Sequence, residues 1–188
     1  MIKLENVSFS YGELQVLKDF NLTVNDGECI QLYGGSGSGK TTVSRLILRL
    51  ETADKGNVIT PQKISAVFQE DRLLENLDIQ KNIRMALTQE QYPLAVKLLK
   101  EFGLYDVRKK RVSQLSGGMK RRVALARAIA FGGDALILDE PFNGLDSHNK
   151  KIAADIIRRD FLEKKKPVLL ITHVKEDAKL LGARIVII

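Results

Sequence analysis

The sequence predicts an α/β core interrupted by a helical segment, and three observations carry that prediction. Short apolar runs alternate with amphipathic helical patterns along most of the 188 residues, as strands joined by helices do. A glycine-rich stretch, Gly34 to Gly39, separates one such run from one such helix. From about Asp71 to Ala130 the pattern turns mostly helical and then reverts. The expected organisation is one domain over 1–188, with about 1–70 and 131–188 forming the core and a small β lobe, and about 71–130 the helical part.

Ile2 to Ser8 alternates, which places Ile2, Leu4 and Asn6 on one side of a first strand. Phe20 to Val24 reads as a second. Asn25-Asp26-Gly27 is a turn signal, and Cys29 to Tyr33 follows as a third strand. A helix is expected from about Lys40 to Leu50. Asp54-Lys55-Gly56 turns into a strand at Asn57 to Thr60, and Ile64 to Phe68 is another. In the helical part, Leu94, Leu98, Leu99 and Phe102 recur at helical spacing, and Met119, Val123, Ala126 and Ala130 form a second stripe. Ala135 to Leu138 and Val168 to Ile171 read as buried parallel strands joined by a helix at Ile152 to Phe161. Ile185 to Ile188 reads as a last strand.

The composition, 44% apolar and 28% charged, excludes disordered and fibrous classes. Apolar runs stop at four residues, far short of a membrane span. The N-terminus lacks the apolar region of a signal peptide, so the cytoplasm is the expected compartment. Cys29 stands alone, which excludes an internal disulfide and a four-cysteine zinc site; a buried small apolar role is expected for it. The net charge is +7, with basic clusters at Arg108 to Arg111, Lys120 to Arg122 and Lys164 to Lys166. Solvated helix faces are the expected setting for these clusters. Aromatics make up only 6% and do not interleave with them, which disfavours a stacking platform for single-stranded nucleic acid. His148, between Ser147 and Asn149, reads as a solvated helix residue.

Gly34-Gly35-Ser36-Gly37-Ser38-Gly39-Lys40-Thr41 satisfies the spacing of a phosphate-binding loop, with a strand before it and a helix after it. Glycines let successive backbone N–H groups converge on phosphate oxygens, and the helix N-terminus adds its positive dipole end. Lys40 supplies a compact cation for the β and γ phosphates. The Thr41 hydroxyl suits Mg²⁺, which prefers oxygen ligands. Nucleotide binding is the expected chemistry.

The run Ala135 to Leu138 ends in Asp139-Glu140, so a buried strand delivers two carboxylates where ligands sit in open α/β sheets. Asp139 is placed to hold a metal through its water shell, and Glu140 to polarise an attacking water. Between these halves lies Leu115-Ser116-Gly117-Gly118-Met119, a helix start with a capping serine and two glycines in its first turn. Each glycine costs roughly 1 kcal/mol relative to alanine, a cost tolerable where bare N–H groups must meet an anion.

With these motifs in order, the chain resembles an ATP-binding subunit of an ABC transporter along essentially its whole length. The resemblance implies an ABC-type phosphate-loop ATPase fold with an antiparallel β lobe and a helical subdomain. It also implies that Ser116, Gly117 and Gly118 complete the site of a partner subunit, two subunits closing head to tail over two ATP. Tyr11 is similar to the aromatic that stacks on adenine, and Gln69 to the glutamine that contacts Mg²⁺ and senses the membrane partner. Gly34, Gly35, Ser36, Gly37, Ser38, Gly39, Lys40, Thr41 and Thr42 would bind ATP. Thr41, Gln69 and Asp139 would face Mg²⁺. Glu140, His173 and Lys40 would be catalytic, His173 being similar to the switch histidine on the γ-phosphate. Asn143-Gly144-Leu145-Asp146 resembles the loop that crosses the dimer.

The chain departs from the family pattern at Gly35, where many relatives have Pro, and at Met119, where Gln is commoner. Asn143-Gly144 also differs from the usual small residues. The stretch Thr52 to Gln69 looks short, and with so few residues after His173 the extra regulatory domain of some relatives is not expected. Gln69 to Leu74 resembles importer subunits for nitrate, sulfonate or taurine.

The implied function is ATP hydrolysis driving solute transport, on the inner face of the cell membrane. A second ATPase subunit, membrane-spanning permease subunits and a solute-binding protein are the implied partners. The alternative is a soluble ATPase of the same group acting on nucleic acid or ribosomes. Such proteins often carry tandem cassettes or coiled-coil insertions, and neither is present, so nucleic acid is not an expected partner.

Overall fold

A computed structural model describes all 188 residues. Two sheets organise it. Strands β1 (Ile2–Tyr11), β2 (Leu14–Val24) and β4 (Lys55–Ile59) form an antiparallel sheet in the order β2-β1-β4. Strands β3 (Cys29–Tyr33), β5 (Ile64–Val67), β6 (Ala135–Asp139), β7 (Val168–Ile171) and β8 (Arg184–Ile187) form a parallel sheet in the order β5-β6-β7-β3-β8. Helix α1 (Lys40–Ile47) follows β3; α2 (Ile79–Arg84), α3 (Tyr92–Glu101) and α4 (Gly117–Phe131) occupy the segment before β6. Helices α5 (Ser147–Ile157) and α6 (Glu176–Leu181) complete the order around β7.

The central parallel strands β3, β6 and β7 are buried on both faces, and the period of two along each sends alternate residues into different cores. Leu136, Leu138, Val168 and Leu170 join a cluster with α3, α4 and α5. Ala135, Ile137, Leu169 and Ile171 join a second cluster with α1 and the antiparallel sheet. The sheet is therefore a partition between two apolar masses, and the polar chemistry collects at its C-terminal edge.

Several expectations need correction. Asn6 does not share a side with Ile2 and Leu4: it is exposed, has φ 49°, and the β1 register shifts between Leu4 and Val7. That bulge resets the alternation, so Val7 and Phe9 become the inward residues. Strand β2 begins at Leu14, six residues before Phe20, because the partly exposed half of it is selected by pairing with β1 rather than by burial. Helix α1 closes at Ile47, with Arg49 in the left-handed region. The helix expected at Ile152 to Phe161 is α5, starting at Ser147 and ending in a π-helical turn at Arg158–Leu162. Neither Arg108 to Arg111 nor Lys164 to Lys166 lies on a helix face: Arg108 and Lys109 are in a turn, Arg111 bridges to Asp78, and Lys164 and Lys165 turn toward β7. Arg121 is 3% exposed, and so is not solvated at all. Cys29 is buried, and His148 is exposed on α5.

Candidate functional site

The loop after β3 has the conformation its glycines permit. Gly37 and Gly39 take φ of 78° and 97°, a region that side chains rarely adopt. At Gly34 an added Cβ would fall 2.6 Å from the Ile188 carbonyl and from Ser38 Oγ. Lys40 turns back over this loop, its ammonium donating to the carbonyls of Gly34 (2.8 Å) and Gly35 (2.6 Å). Gly39 begins α1 without a side-chain cap, so the first N–H groups of the helix stay open to an anion.

That loop forms one wall of a cleft of about 270 Å³, into which Lys40, Thr41, Gln69, Asp139, Glu140 and His173 all reach; Gly34, Ser36 and Gly37 also line it. These side chains come from four separate places along the chain. Parallel strands β6 and β7, paired Asp139 to Ile171, bring Glu140 and His173 side by side. Asp139 is 6% exposed. Burial pushes its carboxyl up to about 6 and the neighbouring Glu140 adds to this, while Arg121 and Lys40 pull the other way.

Glu140 has φ 49°, and its N–H donates to the Ile171 carbonyl at 2.8 Å. Its carboxylate accepts from the His173 backbone N–H (3.2 Å) and from the Thr172 hydroxyl (3.0 Å), and lies 2.7 Å from His173 Nδ1. A carboxylate can only accept, so Nδ1 carries the proton and Nε2 is left for another partner. Thr172 Oγ1 also lies 3.2 Å from Asp177, which is paired with Lys150 of α5 at 3.3 Å. A carboxylate held in this way beside a phosphate loop can orient and deprotonate a water.

Tyr11, at the end of β1, meets Phe9 edge-on with ring centroids 4.8 Å apart. It lines an adjoining cleft of about 230 Å³ together with Gly37, Gly39, Lys40, Thr41 and Thr42. An aromatic face thus adjoins the phosphate loop across shared residues. Gly35 and Ser38 belong to the same loop, Ser38 donating its N–H to the Gly35 carbonyl at 3.3 Å.

Ser116, Gly117 and Gly118 do not reach the 270 Å³ cleft. Ser116 Oγ accepts from the Met119 N–H at 3.3 Å and caps α4. Gly118 has a packing reason of its own, because an added Cβ would lie 2.8 Å from the Gly144 carbonyl. Gly117 faces open space and lines a polar hollow with Gln69, Arg121 and Asn143. One chain therefore holds a complete phosphate loop and carboxylate edge, and a separate exposed helix start.

Sequence reasoning missed Arg121, Thr172 and Asp177. No local signal separates Arg121 from its neighbours: seven of the eight residues from Val123 to Ala130 are apolar, which marks the body of α4 as buried, yet Lys120 on the same flank reaches Glu75 at the surface. Thr172 and Asp177 carry no local signal, since only the fold brings them to Glu140.

The donor set of the cleft fits Mg²⁺. Thr41, Gln69 and Asp139 offer hydroxyl, amide and carboxylate oxygens, and no cluster of three or more His, Cys, Asp or Glu side chains could hold a cation alone. Nucleotide phosphates would complete such a shell.

Comparison with known proteins agrees with this geometry. The sequence model of one family, described as ABC transporter, matches residues 17–143. The aliphatic sulfonates import ATP-binding protein of Rhodococcus jostii (strain RHA1) is 37% identical over 193 residues, spanning 100% of this chain and 78% of that protein. A sulfate/thiosulfate import ATP-binding protein of Synechocystis sp. is 36% identical over 203 residues, spanning 99% and 57%. Among solved structures, an ATP-binding subunit of an ABC transporter superposes with a TM-score of 0.93 at 25% identity, covering 100% of this chain and 85% of that one. A dimeric bacterial ABC transporter cassette superposes with a TM-score of 0.88 at 30% identity, covering 100% and 94%.

Proposed function

Because the chain belongs to the ABC transporter family, as a subunit that binds and hydrolyses ATP to drive transport, we propose that its catalytic unit is a head-to-tail pair around two ATP. A second copy of this chain is the partner we assign. The observation that carries the reading is the division of polar groups: the phosphate loop, Asp139, Glu140 and His173 line one cleft, while Ser116 stands outside it. In the proposed pair, Ser116 and Gly117 of one protomer would complete the cleft of the other.

Tyr11 would stack on adenine, and the loop N–H groups, Lys40 and Thr42 would hold the phosphates. Thr41, Gln69 and Asp139 would hold Mg²⁺, which when bound screens the phosphate charge and polarises the γ-phosphoryl group. Glu140 orients and deprotonates the attacking water, and His173, tied to it through Nδ1, would donate from Nε2 to the γ-phosphate in the form that carries a proton on both ring nitrogens. ATP shifts the open–closed balance only through its different affinity for the two states. Loss of the γ-phosphate removes the groups on which both protomers close.

The partners implied by the relatives are membrane-spanning permease subunits, with this chain peripheral on the inner face, and a solute-binding protein on the import route. Both named relatives are import subunits for sulfur oxyanions, so import of a sulfonate- or sulfate-like solute is the transport we assign. An ATPase acting on nucleic acid or ribosomes is not favoured by these relatives. No helix is long and apolar enough to cross a membrane.

The deciding experiment is Glu140→Gln, which keeps the shape and hydrogen-bonding reach of the side chain but removes the base. Nucleotide binding should persist and ATP-bound dimers should accumulate in gel filtration, with turnover lowered about 10²- to 10⁴-fold, the usual contribution of general-base catalysis. Wild-type turnover in that variant would remove Glu140 from the role.

A further inference from the structure

Arg121 is a full turn into α4, between the helix start at Ser116 and the apolar body of the helix, and its guanidinium is almost wholly buried. Nε donates to the Pro141 carbonyl at 3.2 Å. Nη2 donates to the carbonyls of Asp139 and Glu140. Nη1 donates to the Phe68 carbonyl (2.6 Å) and to Asp71 (3.0 Å), with the Gln69 carbonyl at 3.4 Å. Five N–H donors thus meet acceptors in a fixed planar fork, a pattern that neither Lys nor Gln can reproduce.

The placement of those acceptors matters more than their number. One group lies at the end of β6 and the other just beyond β5, where Gln69 enters the cleft. Glu140 sits in the left-handed region, which disfavours a side chain there. Its peptide is gripped at both ends: its N–H by Ile171, its carbonyl by Arg121. A strained conformation persists only where the surroundings over-determine it, and Arg121 is half of that grip.

We propose that Arg121 is a positioning residue that couples α4 to the general base: it ties the helix whose first turn would meet the partner's nucleotide to the backbone of Glu140 and Gln69 in its own protomer. A shift of α4 on pairing is then felt at the carboxylate that orients water, so the fork links occupancy of one cleft to the alignment of the other. This rests on the assignments of Glu140 and Ser116 made above.

The test is steady-state turnover and nucleotide affinity of Arg121→Lys and Arg121→Gln, with sites counted by binding of a fluorescent ATP analogue. Both variants should lose about tenfold to a hundredfold in kcat per bound site, the scale of a small misplacement, while the analogue's Kd stays within about threefold. In the Glu140→Gln background both should still form ATP-locked dimers. Wild-type kcat per site, or full rescue by Lys, would overturn the proposal, because a merely structural arginine lowers the folded fraction and not the turnover of each folded site. Should neither variant fold, Asp71→Asn decides. It loosens the same fork at its more exposed end and should lower kcat about threefold, with unchanged kcat overturning the coupling. Glu140→Gln run in parallel separates the two claims: full turnover there defeats the assignment of the base, whereas a dead Glu140→Gln beside unaffected Arg121 variants defeats only the coupling.

Discussion

Two helix starts in this molecule carry glycine, and they are built for different tasks. At α1, Gly39 is left-handed, no side chain caps the helix, and Lys40 folds back over the loop. At α4, Ser116 caps the helix and Gly118 is pressed against the Gly144 backbone. Around α1 the same chain supplies Asp139, Glu140, Gln69 and His173; beside the start of α4 it supplies a polar hollow with Asp71, Arg121 and Asn143 but no phosphate loop and no Glu140 or His173. The first start belongs to a cleft lined by the phosphate loop and both carboxylates, and the second is an exposed, capped helix start that in the proposed pair would meet the partner's nucleotide. Open N–H groups at a helix start become a working site only when counter-groups converge on them, and only α1 has them in cis.

The comparison can be broken most forcefully at α1. Lys40→Met removes the only side-chain cation that reaches into the cleft from the loop, and charge-assisted bonds are worth roughly 1.5–3 kcal/mol each. Nucleotide affinity should fall about tenfold to a hundredfold, and turnover should drop with it. Equilibrium binding of a fluorescent ATP analogue measures the first and phosphate release the second. Retention of full affinity would mean that the loop amides suffice.

A smaller and more selective effect is expected at α4. Ser116→Ala should leave nucleotide affinity of the isolated chain unchanged and cost about 1 kcal/mol of stability as a lost cap. Turnover should nevertheless fall, about tenfold if one charge-assisted contact to the γ-phosphate is removed. The deficit should be confined to concentrations at which chains pair. Equal turnover of wild type and variant across a dilution series would assign Ser116 to capping alone.

The two glycines of α4 sharpen the contrast further. Gly118→Ala forces a Cβ to 2.8 Å from the Gly144 carbonyl, and overpacking of this kind costs about 1–3 kcal/mol. Gly117→Ala meets nothing within 4 Å and should stabilise the fold by about 0.4–1 kcal/mol through the unfolded chain. Denaturant titration of the two variants should therefore move in opposite directions.

The smallest effect concerns Cys29, the first residue of β3. Burial pushes the Cys29 thiol up to about 12, so it stays neutral at pH 8 and the thiolate that reacts is absent. A maleimide should leave the native chain unlabelled and add one equivalent in guanidinium chloride. Rapid native labelling would show that β3 opens locally.

Local spacing made much of this molecule readable. Gly34 to Thr41 is legible because a phosphate loop needs small residues, Lys and a hydroxyl at fixed intervals on contiguous chain. Ala135 to Glu140 is legible because a doubly buried strand must be apolar until it reaches the edge where polar groups are admitted. Asn6 misled because a bulge advances the chain by one residue, and the pairing that places it comes from β2 and β4. Lys120 to Arg122 misled because a run of positive charge says nothing about which member finds acceptors. Lys120 reaches Glu75 at the surface, whereas Arg121 reaches five carbonyls and Asp71 in the interior.

By itself the sequence determined the class of the fold, the loop for the phosphates and the carboxylates opposite it, since each depends on residues near one another along the chain. Tertiary structure alone decided that Thr172 and His173 grip Glu140, that Asp177 and Lys150 stand behind them, and that Arg121 is buried. Those contacts join segments separated by 18 or more residues, apart from Thr172 to Asp177. No local periodicity records them, because strand order and helix packing choose the partners only after the chain has collapsed.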